Sequence, residues 1–237
     1  MSEALYSETG SLRFWNEREV NLRDNFISQI SLEVKELLLS ANRGFSFHRV
    51  EGPILIPRSY ISENYTDNDV FVTNHNYGEC EAVLRAETTP ASYQYARNLM
   101  RKGKRFSPPI CVWQSGKSFR REVLDGASPS KLRFNEFYQL EFQCIYSETT
   151  MADYRDMTIN KIADLLSSLS NSEVRIQDSK PPSYAESTKD IELMFNGKWM
   201  EVASCSIRTD FSEDMKVYEI AIGLDRLLEI NSYFFEK

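Results

Sequence analysis

Hydrophobic positions along the chain change their period several times, and each change marks an element. Over residues 14–41, Val20, Ile27, Ile30, Val34, Leu37 and Leu38 recur at helical spacing until Asn42-Arg43-Gly44 stops the pattern, which predicts a long amphipathic helix. Residues 45–50 read as a short strand running into Gly52-Pro53-Ile54-Leu55-Ile56-Pro57, where proline limits further pairing. Thr88-Thr89-Pro90 predicts a second helix, with threonine as cap and proline in the first turn. Its basic end, residues 101–105, suits a solvated helix C-terminus.

Strands are expected over residues 110–122 and 134–146, joined by a polar loop at 125–130. Thr150 is the expected cap of a third helix reaching about Leu169. Residues 171–188 are polar, carry Pro181-Pro182, and read as an exposed connection. Residues 191–195 and 198–202 flank Asn196-Gly197, the pair that suits a type I′ hairpin turn. A last strand over 217–222 leads into a last helix over 224–230. Hairpin-joined strands with interspersed helices predict an α+β fold: an antiparallel β-sheet flanked by helices, with residues 1–237 forming a single domain.

Composition narrows the function classes. A net charge of −7 argues against a broad electrostatic footprint on nucleic acid, leaving room only for a local patch. The cysteines, at 80, 111, 144 and 205, form no Cys-x-x-Cys pair, and there are two histidines, so a zinc site is not expected. Cys111 and Cys144 sit in apolar runs and read as buried thiols. Met1-Ser2-Glu3-Ala4 does not open a signal-peptide pattern, and no apolar run is long enough to span a bilayer. The expectation is a cytoplasmic protein with reduced thiols and no membrane partner.

The chemistry-bearing residues lie on the two central predicted strands. Phe119-Arg120-Arg121-Glu122 is followed by Arg133 and by Phe137-Tyr138-Gln139-Leu140-Glu141. Alternate residues of a strand share a face, so Arg120 and Glu122 point one way, and Arg133, Phe137 and Glu141 share a face in turn. An arginine fork can clamp phosphate oxygens and neutralise charge built up in a transition state. A phenylalanine face can stack under a purine, and a carboxylate can read its exocyclic amine. Arg226, after Gly223 at a predicted helix start, can cover the purine or hold the terminal phosphate. These are the parts needed to hold a bent nucleoside triphosphate.

Blander readings compete with these. Phe137 alone would be a core aromatic; its register with Arg133 and Glu141 reverses that preference. Arg121 reads as a solvated neighbour, Glu141 has an ion-pair role as its alternative, and Asp225 reads as a helix N-terminal carboxylate. His48, His75 and the pair Tyr93 and Tyr95 read as structural or surface groups.

The motifs resemble those of the class II aminoacyl-tRNA synthetases. That family's second motif, Phe-Arg-x-Glu, a loop, then Arg-x-x-x-Phe, stands here as residues 119–122 and as Arg133 with Phe137. Its third motif, Gly-x-x-Arg, stands as Gly223-Leu224-Asp225-Arg226, and residues 20–57 are loosely similar to its first. Within the class the likeness is to glycyl-tRNA synthetase. It is carried by Leu84-Arg85-Ala86-Glu87-Thr88, by Gly116-Lys117-Ser118, by Trp199-Met200-Glu201-Val202 with Arg208-Thr209-Asp210-Phe211, and by Glu219.

The resemblance implies adenylation of an amino acid by ATP with Mg2+, then transfer to the tRNA acceptor end. Arg120 would bind the α-phosphate and the amino-acid carboxylate. Glu122 would contact the adenine amine, Phe137 would stack on adenine, and Arg133 and Arg226 would hold the γ-phosphate end. Glu87, Glu141 and Glu219 would surround the substrate ammonium, Glu201 would be a further acidic wall, and Glu219 would help to hold magnesium. A homodimer through the first helix and following strand is also implied. Ala86, Asn135, Ile207 and Ala221 depart from the glycine enzymes' pattern; the last two bear on which amino acid is taken. The motif order leads to the expectation of a catalytic core without the family's C-terminal anticodon-binding domain. Two other readings stay open: a non-catalytic synthetase-like accessory subunit, and a ligase acting on a carrier protein or another non-tRNA acceptor.

Overall fold

The structure is a computed structural model that describes residues 5–6, 13–103, 108–122, 132–147 and 153–235. A short ladder pairs β1 (Leu5–Tyr6) with β2 (Arg13–Phe14), and α1 (Glu17–Ala41) follows. The helix starts later than its periodicity predicts because Asn16 caps it. The Asn16 side chain accepts from the Glu19 N–H at 2.9 Å, and the Glu19 carboxylate accepts from the Asn16 N–H at 3.0 Å. This reciprocal box satisfies two otherwise orphaned donors, and Phe14 is drawn into the β2 ladder instead.

The chain continues through β3 (Ser46–Arg49), β4 (Leu55–Pro57), β5 (Val72–Tyr77), β6 (Cys80–Leu84), α2 (Thr89–Arg101), β7 (Ile110–Phe119) and β8 (Glu136–Ser147). It then forms α3 (Tyr154–Ser170), β9 (Val174–Ser179), β10 (Ala185–Phe195), β11 (Lys198–Ser212), β12 (Met215–Gly223) and α4 (Leu224–Phe235). The main sheet has the order β3-β7-β8-β12-β11-β10-β9 and is antiparallel apart from the parallel β3–β7 edge. A second sheet, β4-β6-β5, carries the crossover between β3 and β7.

Strand alternation divides the main sheet into two working faces. Leu140, Phe142 and Cys144 of β8, and Tyr218, Ile220 and Ile222 of β12, pack into one core with Ile30, Val34 and Leu38 of α1, Ile162 and Leu166 of α3, and Leu227 and Leu228 of α4. The intervening residues, Phe137, Gln139, Glu141 and Gln143 of β8 and Glu219, Ala221 and Gly223 of β12, therefore face the other side. There α2 covers only part of the sheet, through Tyr93 and Ala96 against Ile110, Val112, Ile145, Phe211 and Val217. The uncovered remainder is the floor of a cleft.

Several expectations need correction. Residues 171–188 are not an exposed connection: β9 and the start of β10 lie within them, and the two prolines sit in the intervening turn. Val174 and Ile176 pack on the core while Arg175 and Gln177 are exposed, a polar alternation that an edge strand tolerates. Thr88 makes no side-chain cap; its hydroxyl is committed to Glu141. Asp153 caps α3, accepting from the Asp156 N–H at 3.1 Å, while Thr150 falls outside the described residues, as do the loop 125–130 and Lys104 with Arg105. The β7 strand stops at Phe119, because the Phe119 N–H turns to the Arg85 carbonyl at 2.9 Å.

The hairpin and buried-thiol expectations hold. Asn196 and Gly197 adopt φ +50° and +74°, the left-handed pair of a type I′ turn. The cysteines are free, and Cys111 faces Cys144 with both thiols buried. Among the described residues, no helix is long and apolar enough to cross a membrane.

Candidate active site

A cavity of about 380 Å3 opens above the polar face of β8 and β12. Every residue singled out for the site lines it: Glu87, Arg120, Glu122, Arg133, Phe137, Glu141, Glu201, Glu219 and Arg226. Register explains the convergence. Ser118 of β7 pairs with Phe137; Gln114 pairs with Glu141, Glu141 with Ala221 and Ala221 with Ser204; Gln143 pairs with Glu219. Adjacent rows of one sheet thus carry an aromatic end and an acidic end.

At the acidic end, Glu87, Glu141 and Glu219 are all buried. Oε2 of Glu141 accepts from the Thr88 N–H at 3.1 Å and from the Thr88 hydroxyl. Oε2 of Glu219 accepts from Gln143 at 2.8 Å, Thr89 at 3.1 Å and Arg208 at 2.6 Å. Oε2 of Glu87 accepts from the Tyr65 hydroxyl at 3.2 Å. Burial, reinforced by the charges of Glu219 and Glu87, raises the Glu141 pKa to about 7. Burial also raises Glu87, against the pull of Arg208. A cation arriving here would favour the ionised forms of Glu141 and Glu87 and draw off their protons.

Arg208 also belongs to this end, a role that the motif reading did not give it. Its side chain is 1% exposed, and it pairs with Glu219, with Asp210 at 2.6 Å and with Glu87 at 3.7 Å. Its period on β11 offered the signal: Arg208 is two places from Ser206, which pairs with Glu219, so it shares that face. Tyr65 and Tyr184 also line the cavity. Tyr65 comes from a loop, and no local pattern could place it.

At the other end, the Arg120 Nε donates to the Ala86 carbonyl at 3.0 Å. Its guanidinium lies 5.2 Å from the Phe137 ring centre and 5.3 Å from that of Tyr65. Among the described residues, no acceptor engages its terminal nitrogens, which leaves them as a fork for an anion. Burial would lower its pKa, but Tyr65, Glu87 and Glu141 outweigh that and raise it, so Arg120 is cationic throughout the physiological range. The Phe137 ring is half-buried and borders the cavity rather than being sealed in the core.

Arg133 pairs with Glu122 at 3.6 Å. It lies before β8 rather than on it, and Glu122 lies past the end of β7. The Arg226 Nη1 donates to the Glu201 carbonyl at 2.8 Å, and its Nε to the Leu132 carbonyl at 3.3 Å. Glu201 also lies 3.6 Å from Arg226 through its carboxylate, so its contacts are with the cationic end rather than with the three buried glutamates.

Arg85 braces the whole arrangement. It is buried and donates to the Lys117 carbonyl at 2.8 Å and the Gly52 carbonyl at 2.9 Å. A Cβ at Gly116 would come within 2.3 Å of its Nη2, so glycine is required for that approach. His48 and His75 do not line the cavity. Tyr93 is buried against Phe211 and Tyr95 is exposed. Among the described residues, no group of three or more His, Cys, Asp or Glu side chains is spaced to hold a metal ion. The Glu219 Oε2 is taken by Arg208, Gln143 and Thr89.

Residues 71–222 match the family model described as tRNA synthetase class II core domain (G, H, P, S and T). The glycine–tRNA ligase of Mycoplasmopsis synoviae is 33% identical over 172 residues, an alignment covering 61% of this chain and 38% of that protein. The glycine–tRNA ligase of Ruminiclostridium cellulolyticum is 31% identical over 160 residues, covering 63% and 34%. The chain thus spans little more than a third of the length of these curated relatives. Among solved structures, the prolyl-tRNA synthetase of Cryptosporidium parvum complexed with halofuginone and AMPPNP superposes with a TM-score of 0.77 over 98% of this chain and 49% of that one. At 13% identity that likeness concerns the fold.

Proposed function

Because the chain belongs to the class II tRNA synthetase core-domain family, we propose that its cleft activates an amino acid with ATP and passes the acyl group to the acceptor end of a tRNA. The observation that carries this reading is the meeting of Arg120, Phe137 and the three buried glutamates in one cavity. Phe137 stacks on adenine and Glu122 reads its amine. Arg133 and Arg226 hold the γ-phosphate end. Arg120 bridges the α-phosphate and the substrate carboxylate, while Glu87, Glu141 and Glu219 receive the ammonium.

The carboxylate oxygen then attacks the α-phosphorus in line, and the bond to pyrophosphate breaks. No protein nucleophile or base is consumed; the residues position the reactants and neutralise charge. Magnesium bound with ATP would supply further charge neutralisation on the phosphates.

A single catalytic unit working as a cytoplasmic homodimer completes the reading, with α1 and the open edge of β3 as the dimer surface. Ala221 and Ile207, set against the glycine enzymes' pattern, leave the amino acid open within the family. The test is amino-acid-dependent exchange of pyrophosphate into ATP across the common amino acids, followed by charging of total tRNA. Exchange with at least one amino acid is expected. Absence of exchange together with absence of ATP binding would favour the accessory-subunit reading, and exchange without tRNA charging would favour a ligase for another acceptor.

A further inference from the structure

Arg13 lies outside the cavity, yet it is tied to the cavity wall. Its side chain is 2% exposed and faces carboxylates from two helices: Glu19 of α1 at 2.8 Å, and Asp225 and Glu229 of α4 at 3.2 Å each. The guanidinium also lies 4.6 Å from the ring centre of Trp15. Asp225 is buried and lines the cavity. One of its oxygens takes Arg13, and the other accepts from the Tyr138 N–H at 2.6 Å. The next residue in the chain is Arg226. One guanidinium thus joins the β2 ladder, the capping box of α1 and the first turn of α4. A planar fork can hold several carboxylates in fixed directions at once, which an ammonium cannot do.

We propose that Arg13 is a positioning residue for nucleotide binding, setting the start of α4 through Asp225 and thereby the guanidinium of Arg226. This rests on the nucleotide reading of the cleft. Phe137 has an anchor of its own in the β7–β8 ladder, where it pairs with Ser118, besides the bond from the neighbouring Tyr138 N–H to Asp225. The proposal therefore concerns the triphosphate grip and not the base platform.

Calorimetry on the full chain separates the two, with magnesium-ATP and adenosine as probes. Arg13→Met is expected to weaken magnesium-ATP about tenfold and adenosine less than twofold. In an Arg226→Ala background, Arg13→Met is expected to cost magnesium-ATP less than a further twofold, because a residue acting through Arg226 has nothing left to act on. Multiplicative losses in the double variant would overturn the proposal, and so would an Arg13→Met protein with wild-type ATP affinity. Should Arg13→Met fail to fold, Arg13→Lys keeps the charge without the fork. It is expected to lose about threefold in magnesium-ATP affinity with adenosine unchanged, and wild-type ATP affinity in that variant would overturn the proposal. A wild-type chain that binds adenosine and magnesium-ATP equally weakly would overturn the nucleotide reading itself and this inference with it.

Discussion

The Nη1 of Arg208 lies 2.6 Å from Oε2 of Glu219, with both side chains almost wholly buried. Four carboxylates, those of Glu87, Glu141, Glu219 and Asp210, gather around Arg208, and the charge of Arg120 acts on Glu87 and Glu141. Negative charge is thus in excess where the substrate ammonium is proposed to sit. Removing one partner of a buried ion pair leaves an uncompensated charge, at a cost of about 3–5 kcal/mol. Arg208→Met is accordingly expected to lower unfolding free energy by about that amount, read from the denaturant midpoint at constant m-value.

The raised carboxylates make stability fall as pH rises. Glu141 titrates near 7 in the folded chain and Asp225 near 6, both above their ordinary ranges. Between the unfolded and folded pKa values the folded chain holds more protons than the unfolded one, so the slope of unfolding free energy with pH is negative. The contribution is present below about pH 4 and is lost as pH climbs through 6 and 7. Urea titrations at pH 5 and pH 8 measure it, and Glu141→Gln is expected to flatten the difference.

The same group links substrate binding to pH in the opposite sense. An ammonium is best received by an ionised Glu141, so affinity for the activated amino acid is expected to rise from pH 6 to pH 8, with proton release on binding. Isothermal titration in two buffers of different ionisation enthalpy counts the protons.

Arg120 presents its terminal nitrogens to the cavity, and the reaction is proposed to build charge beside them. Arg120→Ala is expected to lower pyrophosphate exchange by about 10² to 10³, the usual effect of removing one preorganised donor from a developing anion. Arg120→Lys is expected to restore little, since a point charge cannot bridge two anionic groups as a fork does.

Phe137 is proposed as the base platform. Loss of an aromatic stacking surface costs about 1–3 kcal/mol per base, so Phe137→Ala is expected to weaken adenosine about tenfold or more by calorimetry, with Phe137→Tyr close to wild type.

The sequence by itself determined features that depend on neighbouring residues. The 3.6-residue period of α1, the Asn196-Gly197 turn and the alternation of Phe137 with Glu141 follow from backbone and side-chain geometry within a few residues. The tertiary structure decided which strands became neighbours. It made residues 174–179 an edge strand, because a polar alternation becomes a strand only when β10 offers it a ladder. It took the Thr88 hydroxyl away from capping, because the buried Glu141 carboxylate lay within reach. It set Arg208 against Glu87 and placed Tyr65 beside Arg120, contacts between residues far apart in the chain. Such contacts arise from burial and charge balance across the assembled sheet, which no local window of sequence contains.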